Sequence, residues 1–240
     1  MRVILFALAV LATIPLSSPV LAQKIDNIQV LNQQEFRLLS EDLGGALSYR
    51  PQTPSEPLGF PGFDLGLAFT GAKIKNEEIL ERATTDEVPD TLPIPSLRAH
   101  LGLPLGFDIG AMYSAVPSSN VTYYGGELKW AFVPGGTLWP AFGVRGAFTK
   151  VTGVEQMDLG TRSLDLSISK GIAFATPYAG VGRVWVKSDP KGTAGLQVEE
   201  FELDKVFIGI GFTVVALNLN LEADKTGDVT AVSVKAGLRF

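Results

Sequence analysis

The sequence predicts an all-β protein: an antiparallel transmembrane β-barrel of about ten strands, preceded by a short N-terminal helix. Three observations carry this. Val232, Val234, Ala236, Leu238 and Phe240 alternate with Ser233, Lys235, Gly237 and Arg239, the apolar-out, polar-in pattern of a closing strand that ends on an aromatic residue. The same period of two returns throughout the second part of the chain. The connections alternate between short and longer, as they do when both ends of a barrel face one compartment.

Residues 1–22 read as a signal peptide. Arg2 supplies the positive start, Val3 to Ile14 the apolar run, and Val20-Leu21-Ala22 the small residues before cleavage near Ala22. The run is too short to cross a bilayer and is broken by Pro15 and Pro19. No later stretch reaches about 18 uninterrupted apolar residues, so a membrane-integral form must cross with strands. Removing the segment takes one arginine and no acid, moving the formal net charge from −5 to −6. This acidity argues against a nucleic-acid partner. With no cysteine, the chain has no disulfide and no thiolate metal site. The expected division is 1–22 signal peptide, 23–61 N-terminal helix and Pro/Gly-rich connection, and 62–240 barrel.

Residues 32–43 carry helix signals. Asn32 can cap, Glu35 stands three residues on, Gly44 can end the helix, and Phe36, Leu39 and Leu43 share a face. Pro51, Pro54, Pro57 and Pro61 then mark a semi-rigid connection rather than a ladder strand. The helix either enters the lumen as a plug or lies at the barrel mouth; the expectation carried forward sets it on the periplasmic side. A second helical turn is expected at Asn76 to Arg82.

Nine further alternating segments precede the last strand. They lie at 63–70, 96–103, 107–114, 124–132, 138–149, 164–169, 178–187, 206–214 and 217–222. Short turns fall near Pro104, Pro134-Gly135-Gly136, Lys170-Gly171 and Ala216; the other loops fall at 74–95, 117–120, 150–162, 188–200 and 224–229. A soluble sandwich or lipocalin-like barrel would put its apolar face inside. Here the polar face is rich in Gly, Ala and Ser beside its charges, as a crowded lumen requires, and the other face is Leu, Val, Ile and Phe. Trp130, Phe132, Tyr178 and Phe240 stand near strand ends, where interfacial girdles sit.

The polar faces place Asp64, Arg98, His100, Asp108, Glu127, Lys129, Arg145, Asp165, Arg183, Glu222, Lys235 and Arg239 in the lumen. Buried charges must pair. Hairpin geometry sets His100 opposite Asp108, Glu127 diagonal to Arg145, and Arg239 beside Asp64 at closure. The expected role is a polar network filling a narrow core. His100, the only histidine, is the candidate base of an acyl-transfer enzyme, with Ser96 and Ser114 the serines nearest in the pattern. No serine stands in a nucleophile setting, so no catalytic residue is assigned. Glu222, Asp224 and Asp228 gather acids near a turn, but their spacing is not that of a calcium loop, and no metal or cofactor is expected. Gly180 and Gly182 precede no helix and are read as relieving crowding within a strand.

Several stretches resemble an uncharacterised proteobacterial family of predicted outer-membrane β-barrels. They include Leu47-Ser-Tyr-Arg-Pro51, Gly62-Phe-Asp64, Tyr113-Ser-Ala-Val-Pro117, Leu164 to Gly171, Gly182-Arg-Val-Trp185 and Glu222 to Asp228. The resemblance implies location in the outer membrane of a Gram-negative cell and the barrel fold, and it brings no activity. The expectation is a monomeric, non-enzymatic barrel, narrow or plugged, that binds or slowly passes a small or lipid-like molecule. Membrane lipid and the barrel-assembly machinery, reached through Phe240, are the expected partners. The rivals are a lipid-modifying enzyme using His100 and a surface module acting through its external loops.

Overall fold

The computed structural model describes residues 24–84, 88–116, 119–193 and 195–240. Residues 1–22, read from the sequence as a signal peptide, lie outside them. The described chain forms ten antiparallel strands closed into one barrel, with β1 pairing with both β2 and β10. The strands are β1 Phe63–Lys73, β2 Thr91–Gly102, β3 Phe107–Ala115, β4 Thr122–Val133, β5 Ala141–Thr152, β6 Met157–Ser169, β7 Ala175–Pro190, β8 Glu199–Val214, β9 Leu217–Thr226 and β10 Val229–Arg239. Closure gives every strand two neighbours and leaves no edge, which is what a sheet needs in a medium without water. The strands run further than the alternation alone marked. Much of 150–162, 188–200 and 224–229 is ladder, and the last of these is a tight turn at Gly227 and Asp228.

Outward side chains form a greasy belt. Leu67, Leu101, Leu128, Leu166, Ile208, Val232 and Leu238 are all exposed. Such a belt belongs in lipid. At the short-turn end it is bounded by stacked rings: Phe63 on Phe240, Phe107 on Trp130, Phe132 on Phe142, and Phe174 on Phe212. Tyr178 does not join this girdle. It points inward, 3% exposed.

The rule of apolar outside and charged inside reverses towards the long-loop end. There Val151, Met157, Leu159, Val184, Val186 and Val229 point inward and are buried. They pack around Phe36, Leu39 and Leu43 of helix α1, Gln33–Ala46. A lumen filled by an amphipathic helix must be lined with apolar side chains. The outer wall at the same height carries the charges displaced from inside. Arg183 is therefore outside, not in the lumen, and pairs with Glu202 and Asp204 at 2.8 and 2.9 Å.

Helix α1 sits inside the long-loop end, not on the periplasmic side. Its N-terminus is a capping box, with Asn32 Oδ1 accepting from the Glu35 N–H and Glu35 Oε2 accepting from the Asn32 N–H. The Asn32 N–H and Arg82 hold the Glu35 carboxyl below its ordinary range. A depressed carboxyl stabilises above the usual glutamate pKa, and that contribution is lost as pH falls through the lowered value. The helix also runs past Gly44. A Cβ on Gly44 would stand 2.8 Å from Val186, and one on Gly45 would stand 2.8 Å from the Thr226 carbonyl. These two glycines allow the helix to approach the wall rather than end it. Helix α2, Glu77–Ala83, lies in the first long loop, where Asp42 of α1 accepts from the Asn76 N–H at 2.7 Å.

The chain before α1 crosses the rim of the same end. Ile25 bridges Thr84, and the Ile28 N–H donates to Gln156. Short turns of outer-membrane barrels face the periplasm. Lys24 is then expected outside the cell and the turn residue Leu138, 83% exposed, inside the envelope. The chain has no cysteine, so single-cysteine variants give a clean test. A membrane-impermeant maleimide should label Lys24→Cys on intact cells and Leu138→Cys only after permeabilisation; the reverse pattern would invert the barrel.

Candidate functional site

From Leu47 to Pro61 the chain runs down the lumen, from the end of α1 to the start of β1. This strap is held by the wall, and mostly by its main chain. Proline and positive-φ backbone at Gln52 (φ 49°) keep it from regular structure, so its N–H and C=O groups need side-chain partners. Lys205 donates to the Tyr49 carbonyl at 2.7 Å and Arg98 to the Arg50 carbonyl at 2.7 Å. Lys129 donates to the Pro54 and Glu56 carbonyls at 3.1 and 2.9 Å. In the other direction, the Gln52 N–H donates to Glu222 at 2.7 Å, and the Leu58 N–H donates to both Asp108 oxygens at 3.1 and 3.2 Å. Lower still, Ser55 meets Ser167 and the Glu56 N–H meets Ser169.

Arg50 is the main anchor. It is 2% exposed. Its Nε meets Asp224 Oδ1 on β9 at 2.8 Å, and its Nη1 donates to the Ala46 carbonyl at 2.6 Å. One side chain thus caps the carbonyl end of α1 and ties it to the wall.

The remaining lumen charges pair below and around the strap. Asp64 on β1 meets Lys235 at 2.5 Å and Arg239 at 2.9 Å, both on β10. Arg145 meets Glu127 at 2.8 Å across the diagonal of β4 and β5. Asp108 meets Lys129 at 2.8 Å, and Asp165 meets Lys205 at 3.1 Å. Glu222 also accepts from the Tyr178 hydroxyl at 2.9 Å. Gly182 makes room for Asp165, whose Oδ1 would lie 2.1 Å from a Cβ there.

His100 does not stand opposite Asp108. The β2–β3 hairpin is centred on Leu105, one residue later than Pro104, so Asp108 pairs with Gly102 and His100 with Gly110. A Cβ on Gly110 would fall 2.4 Å from the imidazole. The ring sits between two carboxylates, 3.9 Å from Asp64 and 3.6 Å from Glu127, beyond hydrogen-bond range. Ser114 donates to the Pro95 carbonyl, and Ser96 accepts from Arg98. Among the described residues no serine bonds His100. The three acids near the β9–β10 turn also separate: Glu222 and Asp224 point into the lumen, while Asp228 is exposed on Lys75.

No protein-family model matches the chain, and no curated protein does. Solved outer-membrane proteins resemble it in structure. The protease OmpT of Escherichia coli is 8% identical with a TM-score of 0.39, the match covering 75% of this chain and 95% of that one. The KdgM porin is 8% identical with a TM-score of 0.36, over 73% and 99%. Ail, the attachment invasion locus protein of Yersinia pestis, is 12% identical with a TM-score of 0.30, over 75% and 97%. These resemblances differ in kind and are distant, so the functional reading rests on this chain's own lumen.

Lys205 and the strap residues Arg50 and Gln52 are absent from the expected lumen set, and Asp224 stands in the sequence reading only among the turn acids. Asp224 shares the parity of Glu222, and Lys205 that of Gly209 and Gly211, so both were reachable by extending the alternation. For Arg50 the only signal was an arginine isolated among prolines.

Proposed function

We propose that this protein is a closed, monomeric, non-enzymatic barrel of the Gram-negative outer membrane. Its lumen is given over to its own N-terminal segment, and its ligand, a lipid-like molecule, is met on the outer wall and not on a path through the axis. One observation carries this: the strap is bonded to the wall at each level from Tyr49 to Leu58. A ten-strand barrel has little interior beyond what side chains fill, and a threaded peptide takes up the rest. Phe240, 60% exposed and stacked on Phe63 at 4.9 Å, supports recognition of the last strand by the assembly machinery. Purified protein in planar bilayers should show no resolvable single-channel current. Stable open steps in the unmodified protein would overturn the closed lumen and favour slow passage of a small molecule. The enzyme reading would return if His100→Ala abolished an activity on lipid while leaving the barrel folded.

A further inference from the structure

The outer wall carries a trough that the barrel itself does not need. Three neighbouring strands present glycine outward in three successive rows: Gly146 on β5 opposite Leu128, Gly126 on β4 opposite Phe148, and Gly160 on β6 opposite Lys150. A Cβ on Gly146 would meet nothing within 4 Å, and one on Gly160 would meet only the Thr149 carbonyl at 3.5 Å and Lys150 at 3.8 Å. Wall packing therefore does not require glycine at either position. Together they line a concave site of about 1450 Å³ on the outer wall.

The trough has an apolar floor and a cationic edge. Leu128 pairs with Gly146, and Phe148, Arg162 and Trp185 form one cross-strand row over β5, β6 and β7. Lys150 and Lys187 flank Gly160 in the next row towards the long-loop end. Both lysines have acids: Lys150 meets Asp158 at 2.9 Å, and Lys187 meets Glu200 at 2.5 Å. Glu202 is taken by Arg183 and by the Trp185 indole N–H at 3.0 Å. Arg162 is different. It is exposed between two aromatic rings and has no carboxylate or hydrogen-bond partner among the described residues. Its row also lies where outward side chains change from apolar to charged, the level of lipid headgroups.

The geometry points to a binding site for an outer-leaflet lipid bearing a phosphate on its head, with an acyl chain in the glycine trough and the phosphate on Arg162. A guanidinium meets phosphate with two parallel N–H donors, and Arg162 stands in one cross-strand row between Phe148 and Trp185. Asp158, Glu200 and Glu202 already have cations, so they do not compete for Arg162. This inference names the ligand class of the reading proposed above and rests on it.

The test uses the folded full chain in detergent, with phosphatidic acid as probe, diacylglycerol of the same chains as control, and native mass spectrometry as readout. Phosphatidic acid should be retained about tenfold over diacylglycerol. Arg162→Gln should bring it to the diacylglycerol level. Gly146→Leu should fill the trough and lose both lipids with all charges intact. Equal retention of the two lipids, or unchanged retention in both variants, would overturn the site. Displacement of the lipid by millimolar inorganic phosphate would show a phosphate site without a lipid trough and overturn it too. Single-channel current on the same samples separates the outcomes: current with lipid retained sinks only the closed lumen, and silence without lipid preference sinks only the trough.

Discussion

Arg50→Ala is expected to destabilise the folded barrel by about 3–5 kcal/mol, because it leaves Asp224 buried without its cation. The same change strips the Ala46 and Gly45 carbonyls of their donors at the C-terminus of α1. The strap should then loosen at its upper anchor while the wall hydrogen bonds below, at Asp108 and Lys129, remain. Urea titration of the barrel refolded into lipid vesicles measures the first effect. Planar-bilayer recording measures the second, as brief current steps absent from the parent. Arg50→Ala together with Asp224→Ala should recover part of the stability, since no charge is then stranded, but not the silence, since the tether is still gone. If the single variant is as stable and as silent as the parent, Arg50 is not the anchor.

Asp64→Ala is the second large effect. Asp64 is 1% exposed and serves two cations of β10, Lys235 and Arg239, at the seam where the barrel closes. Lys235 is fully buried and would be left with no carboxylate, a loss of about 3–5 kcal/mol. Arg239 keeps partial contact with solvent and should suffer less. The cost falls on the β1–β10 pair, so the variant should lose its compact, heat-shifted gel band at a lower temperature than the parent and refold more slowly. Lys235→Met in the same chain should restore part of the loss by removing the stranded charge. A variant that keeps the parent's melting behaviour would show that backbone pairing alone closes the seam.

Much of this fold was legible residue by residue. The β10 alternation of Ser233 and Lys235 against Val232 and Leu238 matches the burial, and the Glu127–Arg145 and Asp64–Arg239 pairs follow from counting across turns. Counting failed at the β2–β3 turn, where positive-φ backbone at Leu105 (φ 63°) and Gly106 centres the hairpin one residue later and puts Gly110, not Asp108, opposite His100. It failed again on β7. Val184 and Val186 alternate with Arg183 and Lys187 as cleanly as any pair of faces, yet the apolar side is the inner one.

That case marks the division between what the chain declares and what folding settles. A period of two states that a strand has two unlike faces, and the sequence alone was enough for the ten-strand count and the closing strand. It does not state what each face meets. Near the short-turn end the outer face meets lipid and the inner face meets the polar strap. Near the long-loop end the outer face meets water and the inner face meets α1, so the same alternation takes the opposite sense. Only the tertiary structure could decide this, because burial depends on which segment occupies the lumen, and α1 (Gln33–Ala46) lies more than a hundred residues before β7 (Ala175–Pro190) in the chain.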